Sequence, residues 1–388
     1  MVLCSRLPEG AASERVCRMF IFSSNLLRFF RRELGKGGSD TVSTEPQKTR
    51  WIPPSVEYLT PLAGDELSRW ELAPGDIFIV TPSGKILRLK RAGDVLELAW
   101  RAHYAQSHQL RILPLVNMDR VHALCALYHA WVETTDPEDA EVAAFNFMNA
   151  VRSGMSKAGG LTMLDWAFTC HSLFQPNAQL VEEFQAQHVV LYRRGLLVSS
   201  LAVLFSIACG YRDSVFLKEM YQTAWYLDAG LIHESFTYWV ALACQAERVR
   251  PGEGGKFLIT QKASEKEHAL FFTHPRRSFE RAQLDAQSTF TFPELLLSVL
   301  HHHEKSDGSG FPEKSCLSVL SDWETLMVLA DSLVDYREDV LEQNLRQGWK
   351  DLWSVYLKAP VQGLPVQSVV DKLVNWAHVA SPEKEKVA

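Results

Sequence analysis

The chain has 388 residues, of which 47% are hydrophobic and 22% are charged. This is a globular composition, and it excludes a disordered chain, a collagen-like repeat and a disulfide miniprotein. Forty lysines and arginines against 46 aspartates and glutamates give a net charge of −6, so no nucleic-acid partner is predicted. The seven cysteines are widely spaced and contain no CxxC pair, which favours reduced thiols and a cytoplasmic protein.

Residues 1–50 are predicted to form an N-terminal extension and linker. The run from Met19 to Arg32 is apolar and then basic, so a short amphipathic segment on a membrane surface is the alternative for it. Residues 33–50 are rich in glycine, serine, threonine and charge, which is typical of a flexible linker. The apolar run from Gly195 to Gly210 has sixteen residues, fewer than the roughly 20 that span a bilayer. It indicates a buried core helix, and no transmembrane segment is predicted.

Residues 51–118 are predicted to form a small α/β, β-rich module. The Pro-Ser-Gly sequence at 82–84 indicates a tight turn that joins two strands into a hairpin. Asp94 is placed to cap a helix that follows it. Three apolar segments are predicted as strands: 76–80, 85–91 and 110–116.

Residues 119–360 keep the apolar spacing of helices and are predicted to form one helical domain. Asp136 and Pro137 begin a helix that Gly154 ends. Residues 361–388 lose most of their apolar content and are predicted to be a C-terminal tail. Further helices are expected at 161–174, 177–192, 195–209, 213–227, 234–247, 264–272, 276–287, 293–303 and 322–345. The expected fold class is therefore mainly α, with the small α/β module in front of the helical domain.

The densest cluster of chemically active side chains lies at 295–312. A helix presents His301, His302 and His303 in its last turn, and Asp307 then opens a tight glycine-rich turn. Adjacent histidines leaving a helix can offer two imidazoles to one metal ion, whereas most such runs lie on solvated surfaces, and the spacing leaves both alternatives open. Further candidate ligands are His274, Asp228 and Asp331.

The run His302-His303-Glu304, followed by Asp307-Gly308-Ser309-Gly310-Phe311-Pro312, resembles the HHE…DGSGYP signature of HD-GYP domains, with phenylalanine in place of tyrosine. Over roughly 185–340 the other motifs follow in the family's order. The HD-x-G-K motif falls on residues 227–231, a metal-binding histidine on His274 and the late Ala-Asp motif on Ala330-Asp331. The resemblance implies a helical HD-type domain, two or three iron or manganese-like ions and hydrolysis of cyclic di-GMP.

Three positions depart from the family's pattern. Leu227 stands where the HD histidine would be, Leu231 replaces the lysine, and Arg194 lies at an earlier helix position that usually supplies a histidine. Leucine offers no lone pair, and arginine brings positive charge where a cation should lie. Carried over by position, the ligands of one ion remain as Asp228, His274, His302 and His303, and those of the other as Asp331 and a share of Asp228. We therefore expect at most one iron, manganese or zinc ion per chain.

Contacts to a bound ligand are predicted for Arg194, Arg276, Arg277, Asp307 and Phe311. The two adjacent arginines could meet ligand phosphates, and solvated charge is the alternative for them. The alternative for Asp307 is a hydrogen bond to the backbone of its own turn. His233 is either a replacement metal ligand or a surface histidine.

Three functions compete for this pattern. The favoured one is a catalytically inactive HD-GYP-like bacterial signalling protein that binds cyclic di-GMP or a signalling protein partner, and no catalytic residue is assigned. Phosphodiester hydrolysis by paired metals needs both ions, which supports this choice. The second is a metal-dependent cyclic di-GMP phosphodiesterase with a reduced metal site, since several of the family's ligands remain. The third is an interaction module in which the histidines only pack.

Overall fold

The structure is a computed structural model, and it covers most of the chain after the N-terminal extension. The predictions for residues 1–50, for the helix at 234–247, for His233 and for most of the tail at 361–388 lie outside the described residues. The described residues are 54–155, 159–232, 264–286, 289–305, 307–314, 320–336, 338–347, 371–373 and 375–376.

An antiparallel sheet forms the N-terminal part of the described chain. Its strands are β1 (Thr60–Pro61), β2 (Gly75–Val80), β3 (Ile86–Lys90) and β4 (Leu110–Pro114), with the short helices α1 (Gly64–Ser68) and α2 (Leu98–Tyr104) between them. The strand order is β1-β4-β2-β3, and β2 pairs with β4 from Gly75 opposite Pro114 to Ile79 opposite Leu110. The sheet has an apolar cluster of its own, which includes Leu67 and Ile77.

The predicted hairpin is confirmed, because β2 and β3 pair around the turn at 82–84. The predicted helix cap at Asp94 is wrong. The helix α2 begins later, at Leu98, and the Asp94 carboxylate instead accepts hydrogen bonds from the backbone N–H of Arg91 at 2.7 Å and from Nη2 of Arg193 at 2.7 Å. The local sequence around a helix-capping aspartate resembles that around an aspartate in a turn. The contact with Arg193, which is distant in sequence, could not be predicted from it.

Helices make up most of the remaining described residues. They are α3 (Met118–Glu133), α4 (Pro137–Gly154), α5 (Met163–Phe174), α6 (Ala178–Gln187), α7 (Val189–Ala208), α8 (Ser214–Ala224), α9 (Glu265–Ala286), α10 (Leu297–His301), α11 (Asp322–Ser332) and α12 (Glu338–Arg346). The predicted start of α4 is confirmed, since the Asp136 side chain accepts from the N–H groups of Glu138 and Asp139 and Pro137 is the first helical residue. The fold is mainly α with a small antiparallel sheet, as predicted.

Three predicted helix boundaries are wrong. The break expected near residue 193 lies at His188, whose backbone (φ −147°, ψ 80°) separates α6 from α7 although the apolar pattern continues across it. The break expected at 273–275 is absent, because α9 runs through Pro275, which removes only one N–H from the helix. The helix expected at 322–345 is divided into α11 and α12.

Helix α7 lies in the centre of the helical part and packs against α5, α6, α8 and α11. It is long and apolar enough to cross a membrane, but 89% of its most apolar window is buried inside the protein. This position agrees with the predicted core helix. A Cβ atom at Gly195 would lie 3.0 Å from the ring of Trp225, so glycine permits the close packing of this helix on the Trp225 ring.

The sheet is attached to the helices by buried polar contacts. The hydroxyl of Tyr192 donates to the carbonyl of Gly93 at 2.8 Å, and Nη2 of Arg346 lies 2.9 Å from Oδ2 of Asp76.

The division into a module at 51–118 and a domain at 119–360 stays a prediction. Limited proteolysis is its test, with a resistant fragment that begins near residue 120 as the expected product.

His171 on α5 predicts an acid-sensitive component of stability. Burial lowers the pKa of His171 to about 4, below the usual histidine value of about 6.5. Its contribution is fully present above pH 6.5 and is lost as the pH falls towards 4, because the unfolded chain then binds a proton that the folded chain refuses. We expect the difference in unfolding free energy between pH 7 and pH 4 to shrink by about 3 kcal/mol in His171→Phe. Denaturant titrations at both pH values measure it, with the exposed His108→Phe as the control substitution. An unchanged His171→Phe would contradict the prediction.

Candidate metal centre

Three histidines from two parts of the chain converge inside the helical core. His274 lies on α9, whereas His302 and His303 follow the last turn of α10. One ring nitrogen from each histidine lies within 4.8 Å of the others. His274 and His302 are fully buried, and His303 is partly buried. The structure thus brings together the histidines that the sequence singled out, apart from His301.

The backbone orients the two buried rings. Nδ1 of His274 lies 2.5 Å from the carbonyl oxygen of Phe271, and Nδ1 of His302 lies 2.7 Å from that of Val299. A carbonyl oxygen only accepts hydrogen bonds, so both Nδ1 atoms carry the proton. The two Nε2 atoms, 3.1 Å apart, therefore face each other with their lone pairs. Two facing lone pairs are favourable only with a cation or a proton between them.

The buried surroundings of His274 and His302 disfavour a proton between their two Nε2 atoms. Burial, together with His302, lowers the pKa of His274 to about 3, and burial also lowers the pKa of His302. Neutral imidazole is the form that binds metals. Two nitrogens bound to one ion at about 2.0–2.1 Å lie roughly 2.9–3.4 Å apart, which includes the observed 3.1 Å. The donor set therefore fits one ion of the iron, manganese or zinc type.

Asp228 lies beside the histidines on the turn that follows α8. Its Oδ1 is 3.7 Å from Nε2 of His274 and accepts a hydrogen bond from the hydroxyl of Tyr336 at 2.8 Å. Burial alone would raise the pKa of Asp228, but the positive charge of Arg194 and the hydrogen bond from Tyr336 hold the pKa below its usual value. An ionised carboxylate thus stands next to the neutral imidazoles.

Ser278 on α9 fixes the turn that carries Asp228. Its hydroxyl donates to the carbonyl of Leu227 at 2.8 Å and accepts from the N–H of Gly230 at 2.8 Å. A Cβ atom at Gly230 would lie 2.4 Å from the backbone oxygen of His274, so only glycine fits at this approach. The turn and the helix can therefore place Asp228 and His274 side by side.

This close approach gives a prediction for Gly230→Ala. The methyl group must push the turn away from α9, so we expect a loss of stability of about 1–3 kcal/mol and weaker binding of Mn²⁺. Gly84→Ala is the control, because its positive φ of 78° also strains the substituted backbone but nothing of the site is near it. Unfolding and Mn²⁺ titrations of both variants check the prediction, and equal Mn²⁺ affinity in the two variants would contradict it.

Arg194 on α7 joins two carboxylates beside the histidines. Its Nη1 donates to Oδ2 of Asp228, and its Nη2 donates to Oδ1 of Asp331 at 2.6 Å. The same Nη2 also donates to the carbonyl of Asp331 at 3.1 Å, and Nε donates to that of Val334 at 3.3 Å. The guanidinium carbon lies 4.0 Å from the ring centroid of Tyr336. Arg194 was predicted to contact a bound ligand. In the structure it is 1% exposed, and its guanidinium donates to groups of the protein itself.

Charge is divided unequally within this group. Burial would lower the pKa of Arg194, but the two carboxylates raise it, so the guanidinium stays charged. Burial raises the pKa of Asp331, whereas that of Asp228 is lowered. Oδ2 of Asp331 lies 3.4 Å from Nδ1 of His303. Asp331 therefore contacts both Arg194 and the histidine cluster. Leu227, directly before Asp228, is 1% exposed and packs in the apolar core.

The other predicted ligand contacts remain predictions, and the structure places them as follows. Arg276 is exposed and lies 3.7 Å from Glu313, while Nη2 of Arg277 donates to the carbonyl of Leu270 at 3.1 Å. The Asp307 carboxylate accepts from the N–H of Ser309 at 2.9 Å, which confirms the alternative of a backbone hydrogen bond.

Phe311 lies against the histidines instead of facing solvent. It is 6% exposed, and its ring stacks on that of His303 with 4.6 Å between centroids. The loop that carries it is held by Glu304, whose Oε1 accepts from the N–H groups of Glu313 and Lys314 at 2.7 and 3.1 Å. The Gly-Phe-Pro loop therefore covers the histidine cluster.

Two contributors to the site were not predicted. Tyr336 and Ser278 contact the site from distant parts of the chain, and neither has a local sequence signal. His301, predicted as part of the histidine run, instead pairs with Glu324 at 2.6 Å.

No model of a known protein family matches the chain, and no curated protein matches it. Among solved structures the chain is similar to Bd1817, described as an HDG"Y"P protein from Bdellovibrio bacteriovorus. The sequence identity is 14%, the match covers 79% of this chain and 95% of that chain, and the TM-score is 0.35. A TM-score this low assigns neither a fold family nor a function, so the interpretation of the site rests on the chain's own residues.

Proposed function

We propose that this chain is a catalytically inactive HD-GYP-like signalling protein of the bacterial cytoplasm, which holds at most one metal ion and acts by binding cyclic di-GMP or a protein partner. The motif at 302–312 supports the kinship. The contact of Arg194 with both Asp228 and Asp331 carries the inactivity.

The argument is electrostatic. A second divalent ion would need the oxygens of Asp228 and Asp331 that Arg194 already binds. Two unit charges at 4 Å repel by about 4 kcal/mol at an effective dielectric of 20, so a divalent ion at that distance from the guanidinium meets about 8 kcal/mol. Leu227 offers no lone pair in compensation. The guanidinium of Arg194 therefore occupies the place of a second metal ion, and it is covalently part of the chain.

A single ion does not support efficient hydrolysis in this geometry. A bound metal ion polarises a phosphoryl oxygen and lowers the pKa of a bound water, and in two-metal sites the pair stabilises both the attacking and the leaving oxygen. Arg194 cannot replace either task, because its side chain is buried and its donors bind Asp228, Asp331 and Val334. Binding can persist where hydrolysis does not.

A hydrolysis assay and a binding titration test the proposal together. We expect negligible cyclic di-GMP hydrolysis with added Mn²⁺ or Fe²⁺, whereas turnover of about 1 per second or faster would contradict it. Calorimetric titration with cyclic di-GMP then separates the two modes of action. Saturable binding would support the nucleotide as the ligand, whereas absence of binding would leave a protein partner as the proposed ligand.

The second candidate is a cyclic di-GMP phosphodiesterase with a reduced metal site. The convergence of His274, His302 and His303 beside an ionised Asp228 favours it. In that case turnover would be measurable and would disappear in His302→Ala.

A further inference from the structure

Pro275 lies inside α9, directly after a candidate metal ligand. In an uninterrupted α-helix the N–H of residue 275 would donate to the carbonyl of Phe271, four residues earlier. Proline has no N–H, and its ring pushes the carbonyl four residues earlier away from the helix axis. The Phe271 carbonyl has a different partner here, since Nδ1 of His274 lies 2.5 Å from its oxygen.

We propose that Pro275 is a positioning residue of the metal centre: by withholding its N–H, it reserves the Phe271 carbonyl for His274 and holds that imidazole with its Nε2 lone pair towards His302. The inference rests on the proposed metal centre and adds a residue that touches no ion itself.

The geometry explains why a helical histidine can use this carbonyl. Side chains on a helix lean towards its N-terminus, so the ring of His274 reaches back over the preceding turn. The hydrogen bond from Nδ1 fixes both the tautomer and the rotation of the ring. As a result Nε2 lies 3.1 Å from Nε2 of His302 and 3.7 Å from Oδ1 of Asp228.

His302 reaches the same arrangement by another route. Its Nδ1 binds the carbonyl of Val299 at 2.7 Å, at the C-terminal end of α10, where carbonyls lack N–H partners within the helix. The end of α10 thus leaves a carbonyl free to accept from His302, as Pro275 leaves the Phe271 carbonyl free to accept from His274. Since α9 continues for eleven residues past Pro275, to Ala286, the proline is the device that gives a mid-helix carbonyl to a side chain.

Pro275→Ala in the full chain tests the proposal. Alanine restores the N–H and the axial direction of the Phe271 carbonyl, so Nδ1 of His274 loses its exclusive acceptor. In the metal-free protein, ¹⁵N NMR of the histidine side chains should then show His274 moving from one tautomer to a mixture. The affinity for Zn²⁺, measured by competition with a chromophoric chelator, should fall about tenfold or more. The melting temperature should stay or rise, because alanine is a much better helix former than proline.

The combination of equal or higher stability with weaker zinc binding is the signature of positioning, since a merely structural proline would lower both or neither. His302 serves as an internal control, because its tautomer does not depend on Pro275. Pro137→Ala is the matched control, since Pro137 is the first residue of α4 and blocks no helical hydrogen bond. It should leave the zinc affinity unchanged.

Two outcomes would overturn the inference: an unchanged His274 tautomer in Pro275→Ala, or a zinc affinity equal to that of the unsubstituted protein. Failure of the proposed metal centre gives a different result. The unsubstituted protein would then bind no Zn²⁺ at all, and the tautomer comparison in the metal-free protein would still decide the role of Pro275.

Discussion

Asp228→Ala is expected to lower the free energy of unfolding by about 3–5 kcal/mol, the largest stability loss among the substitutions considered for this chain. The substitution leaves Arg194 with a single carboxylate in a buried position, and it also removes the acceptor of the Tyr336 hydroxyl. A charge that stays buried without its partner is strongly unfavourable because it cannot recover its hydration. Urea unfolding of the metal-free protein measures this effect without a contribution from ion binding.

Asp65→Ala is the matched control for this loss. Asp65 forms an ion pair with Arg69 at 3.6 Å, but both side chains are largely exposed, so the pair should contribute 1 kcal/mol or less. A loss in Asp228→Ala no larger than that of the control would mean that Arg194 finds other partners or water. The argument that this arginine stands in place of an ion would then fail.

His302→Ala should reduce the metal content from one ion per chain to none. The substitution removes the Nε2 atom that lies 3.1 Å from Nε2 of His274, and it leaves only two of the three clustered imidazoles. The fold should persist, because the helical core is large and does not depend on this residue alone. Elemental analysis of protein loaded with Mn²⁺ or Fe²⁺ measures the content, and circular dichroism checks the fold.

His301→Gln is the control for the histidine run. His301 binds Glu324, one of two acidic residues in the first turn of α11, and does not contribute a nitrogen to the cluster. This variant should keep its ion. Two ions per chain in the unsubstituted protein would contradict the one-ion prediction, and no ion under metal-replete conditions would favour a purely structural role for the histidines.

Local sequence signals predicted the elements and the histidine cluster for identifiable reasons. The hairpin of β2 and β3 follows from two short apolar segments around a Pro-Ser-Gly turn, and both signals involve neighbours in sequence. The start of α4 at Asp136-Pro137 is equally local. The break at His188 has no such signal, because the residues after it continue the apolar spacing of a helix.

The contacts between the side chains of the site could not be predicted from neighbouring residues in the sequence. Arg194 is separated from Asp228 by 34 residues and from Asp331 by 137, and only the packing of α7 against the following helices brings them together. The sequence shows that an arginine stands at this position, but not that its guanidinium binds both carboxylates at once. The role of Tyr336, which packs on the guanidinium and donates to Asp228, depends on the same packing.

The pairing of Arg194 with Asp228 and Asp331 has a consequence for how the protein responds to metal scarcity. A dissociable ion is lost to chelators and varies with supply, whereas a guanidinium is covalently part of the chain and cannot be diluted away. The pairing of these two carboxylates with Arg194 therefore does not depend on metal availability. We therefore expect Asp228 and Asp331 to stay paired with Arg194 when iron or manganese is scarce.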